Sequence, residues 1–219
     1  MTKAIYAVYG ASGCGRSLMP VAREQLQRDG IHASIYFIDD SLQQAKEING
    51  HTALNYLAFK ALEASDKYVQ IAIANSMIRQ KIAQQLAQDN IHLWQIKASN
   101  VVIMDDVELG AGAALSPFVT LASNIKIGQC FHANLYSYVE HDCVIGDFVT
   151  FAPGVKCNGN IIIEDHAYIG SGAVIKQGTP EQPLVIGKGA VVGMGAVVTK
   201  SVLAGVTVVG NPARVLVNK

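Results

Sequence analysis

The segment Val139-Glu140-His141-Asp142-Cys143 sets a histidine between two carboxylates. An imidazole titrates at about 6.5 in ordinary surroundings, so it can take a proton at neutral pH. Acyl transfer from a thioester to an amine needs such a group, to remove the proton as nitrogen attacks. Asp142, or an acidic residue of another subunit, could orient and polarise the ring. A lone histidine of this kind equally fits a plain surface corner. A second group of residues lies near the start of the chain, where Gly10-Ala11-Ser12-Gly13-Cys14-Gly15 follows an apolar run and Arg16 comes next. Backbone N–H groups at such a turn, backed by a helix N-terminus, favour a phosphate. The Gly-x-x-Gly-x-Gly spacing alone also fits a simple strand-to-helix turn. Asp39-Asp40, where a second strand would end, adds carboxylates about where a ribose or base is met. Turn and acidic pair together suggest a nucleotide, with Arg16 either on a diphosphate or solvated.

The histidine is positioned by a repeat. From Ile103 to Pro180 the chain runs in six-residue units whose lead positions include Leu121, Ile127, Val139, Ile145, Cys157 and Ile163, and the phase resumes at Ile186, Val192 and Val198. Apolar residues two places before each lead, such as Val119, Phe131, Cys143 and Ile161, make short strands facing inward. Residues just after the lead, such as Gly110, Gly128, Gly146 and Gly170, tolerate tight turns and are expected to make the corners. Three strands and three corners close one coil, so residue n stacks on n+18, and a parallel β-helix of about five coils follows. By that spacing His141 stands two places past a lead, on a corner outside the core. Its neighbours one coil away are Ser123 and Gly159, and the missing side chain at Gly159 leaves backbone open to an extended thioester arm.

The first hundred residues alternate differently. Strands are expected at Ala4 to Tyr9, Ala33 to Ile38, Tyr68 to Ala74 and Ile91 to Ile96, with helices near Arg16 to Asp29, Leu54 to Ala64 and Met77 to Gln88. This is a small Rossmann-like α/β domain with a parallel sheet, residues 1–98, followed by the β-helix, residues 99–219. The formal net charge is zero, 50% of residues are hydrophobic and 16% charged. Without a basic stripe the chain is not expected to bind nucleic acid. No apolar run is long enough for a membrane span and no secretory signal is evident, so a cytoplasmic location is expected. Cys14, Cys130, Cys143 and Cys157 have no CxxC spacing, and the histidines do not fall into one column, so no metal is expected.

The chain resembles the hexapeptide sugar acetyltransferases. The resemblance rests on Tyr9-Gly10-Ala11-Ser12-Gly13-Cys14-Gly15, Asp39-Asp40, Glu140-His141-Asp142-Cys143-Val144-Ile145-Gly146 and the terminal Val209-Gly210-Asn211-Pro212-Ala213. More narrowly it is similar to the N-acetyltransferases of bacillosamine synthesis and to the sialic acid O-acetyltransferases. The resemblance implies a homotrimer of left-handed β-helices with active sites at subunit interfaces and acetyl-CoA in the groove between subunits. It implies His141 as general base, supported by Asp142, and Asn134 as a substrate contact. Cofactor contacts would fall on Gly159, Ser171, Gly193, Met194 and Gly195. Gly10, Ser12, Gly13, Cys14, Gly15, Arg16, Asp39 and Asp40 would hold a UDP-linked 4-amino sugar, whose 4-amino group is acetylated for surface glycan synthesis. O-acetylation of a sialic acid, and a non-catalytic scaffold that binds nucleotide sugars, are the competing readings. Thr150 and Cys14 stand where relatives carry histidine, and Ile96-Lys97-Ala98-Ser99 replaces a His-Pro pair, which bears on the acceptor sugar.

Overall fold

The computed structural model describes residues 3–217, and the chain forms two compact units, residues 1–99 and 100–219. The first contains β1 (Ile5–Tyr9), α1 (Gly13–Arg28), β2 (Ser34–Ile38), β3 (Lys46–Ile48), β4 (His51–Leu54), α2 (Tyr56–Ala61), β5 (Lys67–Ile71), α3 (Ser76–Gln88) and β6 (His92–Leu93). Strand order is β3-β4-β2-β1-β5-β6. The β1 sequence Ile-Tyr-Ala-Val-Tyr is buried at every position, as a central parallel strand covered on both faces must be. Helices pack on the sheet through apolar stripes, Leu18, Met19, Ala22 and Leu26 in α1 and Ile82, Ala83 and Leu86 in α3.

Three details differ from the sequence expectation. Helix α1 begins at Gly13, so the last two turn glycines belong to its first turn. Helix α2 is shorter than expected, because Leu62 turns to extended backbone with ψ 138°. Ahead of it lies an unexpected hairpin, β3 antiparallel to β4, turned by Asn49 (φ 50°) and Gly50 (φ 77°). Asn-Gly with both φ positive is the two-residue turn whose twist matches a hairpin.

The second unit is a left-handed parallel β-helix with three sheet faces. Face one runs from Ala114–Leu115 through His132–Ala133, Thr150–Phe151, Tyr168–Ile169 and Val191–Val192 to Thr207–Val209. Face two has six strands, from Val102–Ile103 through Tyr138–Val139 and Lys156–Cys157 to Val197–Val198, and face three has five, from Val107–Leu109 to Leu184–Ile186. Pairing follows the eighteen-residue step, as in Leu121 with Val139 and Val139 with Cys157. After the interruption, Ile161 pairs with Leu184, five residues beyond that step. Lead and lead-minus-two residues fill the prism, with Leu121, Ile125, Phe131, Phe151, Ile161 and Ile163 each 0% exposed. Each such aliphatic or aromatic burial contributes roughly 1.5–3 kcal/mol.

The corners turn elsewhere than expected. Left-handed backbone falls three places after the lead, at Asn124, Tyr136, Asp142, Phe148 and Asn160 among others, with φ between 55° and 60°. The glycine just after the lead serves close approach instead. A Cβ on Gly110 would lie 2.5 Å from the Gly128 carbonyl carbon, and one on Gly146 2.6 Å from the Asp165 nitrogen.

Candidate active site

His141 lies between strand Tyr138–Val139 of face two and Val144–Ile145 of face three. The corner is held from both sides. Asp142 N–H donates to Ser123 O at 3.2 Å, and Asn160 N–H donates to His141 O at 3.1 Å. Asp142, at φ 57°, curls its carboxylate back to His141 Nδ1 at 2.8 Å. Aspartate tolerates this left-handed conformation better than most residues. An ionised Asp142 selects the tautomer with the proton on Nδ1 and leaves the Nε2 lone pair as the base. Among the described residues Nε2 has no hydrogen-bond partner, and the side chain is 44% exposed.

The imidazole lies on Gly159. A Cβ built there would sit 2.5 Å from His141 Cε1 and 2.6 Å from Nε2, with the nearest atoms all belonging to the ring. Only glycine fits beneath it. Asn158 beside this glycine is pinned at three points: Tyr138 Oη donates to its Oδ1 at 3.0 Å, its Nδ2 donates to Ile175 O at 2.7 Å, and Cys143 Sγ approaches its carbonyl at 3.2 Å. Burial, with Glu140 adding to it, raises the Tyr138 pKa, so the phenol stays a donor. At equivalent positions on another corner the backbone N–H meets a carboxylate, Gln129 on Asp147 at 2.9 Å and Asp147 on Asp165 at 3.0 Å. Among the described residues the Gly159 N–H has no acceptor.

The β-helix residues of the expected site divide between two corners. His141, Asp142 and Gly159 share the corner from face two to face three. Asn134, Ser171, Gly193, Met194 and Gly195 lie on the corner from face one to face two. The two corners bound the ends of face two, and the seven residue steps from Asn134 to His141 span roughly 20 Å when extended. One chain therefore does not bring these groups together. Asn134 is also engaged internally, its Nδ2 donating to Phe151 O at 2.7 Å. Met194 is 82% exposed.

In the α/β unit the glycine turn sits at the carboxyl end of β1. Gly10 has φ 110°, and a Cβ on Gly15 would overlap the Gly10 carbonyl, so the turn closes only with glycine at both places. Ser12 is the N-cap of α1, with its side chain making no capping bond. Gly13, Cys14 and Arg16 are exposed. Desolvation raises the Cys14 pKa and outweighs the Arg79 charge that lowers it, which keeps Cys14 a neutral thiol rather than a nucleophile. Asp40 is occupied by its own fold, accepting from Tyr9 Oη and from Tyr56 N–H at the start of α2 at 3.0 Å. Burial and this bond push the Tyr9 pKa up. Asp39 accepts from Ser41 N–H at 3.1 Å and Ser41 Oγ at 2.7 Å, both on Oδ1. Its Oδ2 has no partner among the described residues, so Asp39 keeps an open carboxylate oxygen while both oxygens of Asp40 accept bonds within the fold. Arg79, missing from the sequence expectation, is 0% exposed and donates from Nη1 to Ile73 O at 2.7 Å and Ala74 O at 3.2 Å. It holds the loop after β5, whose Ala72 carbonyl lies 3.0 Å from a Cβ position on Gly10. The available signal was an arginine on the apolar stripe of α3.

Among the described residues no group of three or more His, Cys, Asp or Glu could hold a metal, and no helix is long and apolar enough to cross a membrane. A carboxylate-held imidazole with its second nitrogen open, beside an uncapped backbone donor on a hexapeptide β-helix, marks an acyltransferase.

Comparison with known proteins narrows this. Residues 6–86 match the PglD N-terminal domain and residues 160–200 the hexapeptide repeat of succinyl-transferase. GDP-perosamine N-acetyltransferase of Escherichia coli O157:H7 is 51% identical over 211 residues, covering 96% of this chain and 95% of its own. WeeI from Acinetobacter baumannii AYE is 59% identical with a TM-score of 0.94, over 98% of this chain and 100% of its own. The acetyltransferase domain of PglB from Neisseria gonorrhoeae FA1090, in complex with acetyl coenzyme A, is 25% identical with a TM-score of 0.84, over 99% of this chain and 100% of its own. The chain belongs to the hexapeptide-repeat sugar N-acetyltransferases.

Proposed function

We propose that this protein transfers acetyl from acetyl-CoA to the 4-amino group of a 4-amino-4,6-dideoxy sugar carried on a nucleoside diphosphate, in the cytoplasm, for surface glycan synthesis. The observation that carries the reading is the imidazole on Gly159, with Nδ1 fixed by Asp142 and Nε2 open. Nε2 takes the proton from the amine nitrogen as that nitrogen bonds to the thioester carbonyl carbon. The Gly159 N–H stands ready for the charge that develops on the carbonyl oxygen. When the carbon–sulfur bond breaks, the thiolate leaves and receives a proton, from the imidazolium or from water. Asp142 keeps the ring oriented and stabilises its positive charge.

Cofactor contacts at Ser171, Gly193, Met194 and Gly195, with Asn134 on the substrate, belong to a second copy of the chain. Lying on the other corner of the prism, they reach a thioester at His141 only if a neighbouring β-helix presents that corner. A homotrimer with three shared sites satisfies this. In the α/β unit the N–H groups of Gly13 to Gly15 at the start of α1 suit the diphosphate, Arg16 adds a charge, and Asp39 Oδ2 accepts from the base or ribose.

Resemblance to the bacillosamine branch favours UDP as the carrier, whereas 51% identity to a GDP-perosamine N-acetyltransferase favours GDP. Thiol release from acetyl-CoA is to be followed with UDP- and GDP-linked 4-amino sugars, their 4-hydroxy counterparts and free and CMP-linked sialic acid. Turnover is expected only with a nucleotide-linked amine. Turnover with the hydroxyl substrates alone, or nucleotide binding without thiol release, would overturn the proposal.

A further inference from the structure

On the corner from face one to face two, the third residue after each lead takes left-handed backbone: Phe118 at φ 65° and Tyr136 at 60°, then Gly154, Gly172 and Gly195 at 66° to 72°. Glycine adopts this backbone freely, whereas a bulky aromatic is strained there. The two aromatics thus carry a strain that the next three coils avoid, and such an outlier points to a use for the side chain. Their rings stack 4.8 Å apart at 2°, the spacing of adjacent coils. Phe118 is pinned by Asn100, whose Oδ1 accepts its N–H at 3.2 Å, and Tyr136 N–H donates to Pro117 O at 3.3 Å. Yet the two residues stay 51% and 64% exposed. The comparable stack on the corner from face three to face one, Phe148 on His166, is different, because Phe148 is buried.

The stack ends on an open face. Phe118 covers one side of the Tyr136 ring, and one coil up the same position is Gly154, where even an added Cβ would meet only Gly172 backbone, at 3.8 Å. A third ring fits above Tyr136, in the layer that the glycine leaves empty. With eighteen residues per coil, Tyr136 lies about 1 Å below the level of His141 and Gly154 about 3.5 Å above it. Copies set side by side in a ring present equal heights to one another, so the layer above Tyr136 is level with a neighbouring copy's His141. Asn134 is two residues away on the same corner.

We infer that the sugar ring of the acceptor lies on the open face of Tyr136, with Phe118 beneath it as support, and that this stacked pair is the platform that holds the sugar at the imidazole. The inference rests on the proposed acetylation of an amino sugar at sites shared between copies. A pyranose has a face lined by C–H bonds, whose positive hydrogens meet the negative face of an aromatic ring. The contact involves the sugar alone, so its loss spares the nucleoside diphosphate.

The test uses the full chain with Tyr136→Gly, a residue that suits the left-handed backbone and adds no strain. The KM for the nucleotide-linked amino sugar is expected to rise about tenfold, with kcat changed less than about threefold and the KM for acetyl-CoA unchanged. Tyr136→Phe, which keeps the ring, should stay near the wild type. Calorimetry, which needs no turnover, should show the affinity for the sugar nucleotide falling by about the same factor in Tyr136→Gly, while that for the bare nucleoside diphosphate holds. An unchanged KM and affinity, an equal loss for the bare nucleotide, or dissociation of the assembly on size-exclusion chromatography, which would make the pair a contact between copies, would overturn the inference. Sugar-nucleotide binding that depends on Tyr136 in a chain that releases no thiol keeps this inference and removes the proposed function. Turnover of the amino sugar at the wild-type KM in Tyr136→Gly does the reverse.

Discussion

At the scale of single residues, the site depends on an imidazole resting where a side chain is missing. Gly159→Ala puts a Cβ into the ring, whose atoms are the three nearest to that position, and the ring must swing off its bond to Asp142. Turnover should fall about a hundredfold, as misplacing a catalytic group by about 1 Å does, while the melting temperature and the assembly stay as in the wild type. Tyr138→Phe removes the donor to Asn158 Oδ1 and should cost about 1 kcal/mol of stability, read by denaturant unfolding, with a smaller loss of kcat than Gly159→Ala. His141 and its proximity to Gly159 were legible beforehand, because an unbroken six-residue period turns sequence spacing into stacking. The clamp around Asn158 was not, since Tyr138 and Asn158 meet through side chains across adjacent coils and no local pattern encodes that. Nor was the structural part of Asp40 legible: an acidic pair ending a strand reads as a ligand contact, and nothing local shows that Tyr9 and the Tyr56 N–H bond to its oxygens.

At the scale of elements, each corner has its own way of capping the coil. On the corner from face three to face one, carboxylates meet the backbone of the coil before, and Asp165 also pairs with Lys188 at 3.2 Å. Burial raises the Asp165 pKa, but the Asp147 N–H and Lys188 outweigh it and the net direction is down. A carboxylate with a lowered folded-state pKa adds stability above its unfolded pKa and loses it as pH falls through the folded value. The wild type should therefore lose melting temperature as pH falls from about 5 to about 2, and Asp165→Asn, which keeps the acceptor for Asp147, should lose less over the same range. Equal slopes for the two proteins would show that the pair adds nothing. The prism itself was readable because its core positions repeat. The turning residue was misplaced by two positions, since glycine marks close approach between coils while Asn, Asp and even Phe148 take the left-handed backbone. The β3–β4 hairpin went unread although Asn49-Gly50 announces it, because two short strands carry little hydrophobic pattern.

At the scale of the whole molecule, the proposed function requires a second copy, since His141 and Ser171 lie on two corners of one prism. If the sites are shared in the proposed homotrimer, mixing His141→Ala subunits with subunits carrying Ser171→Trp, each expected to be inactive alone, restores about a quarter of the wild-type sites after random reassembly. No recovery would place both corners in separate functions. What the sequence could not supply is the sugar and its nucleotide, because no local motif encodes the side chains that would read them. The central claim is that His141 is the base of an acetyl transfer, and it is tested most directly by the kcat of His141→Ala with acetyl-CoA and the preferred nucleotide-linked amino sugar. A fall of about two to four orders of magnitude with acetyl-CoA binding unchanged is the predicted result, and turnover within a few-fold of wild type would contradict it.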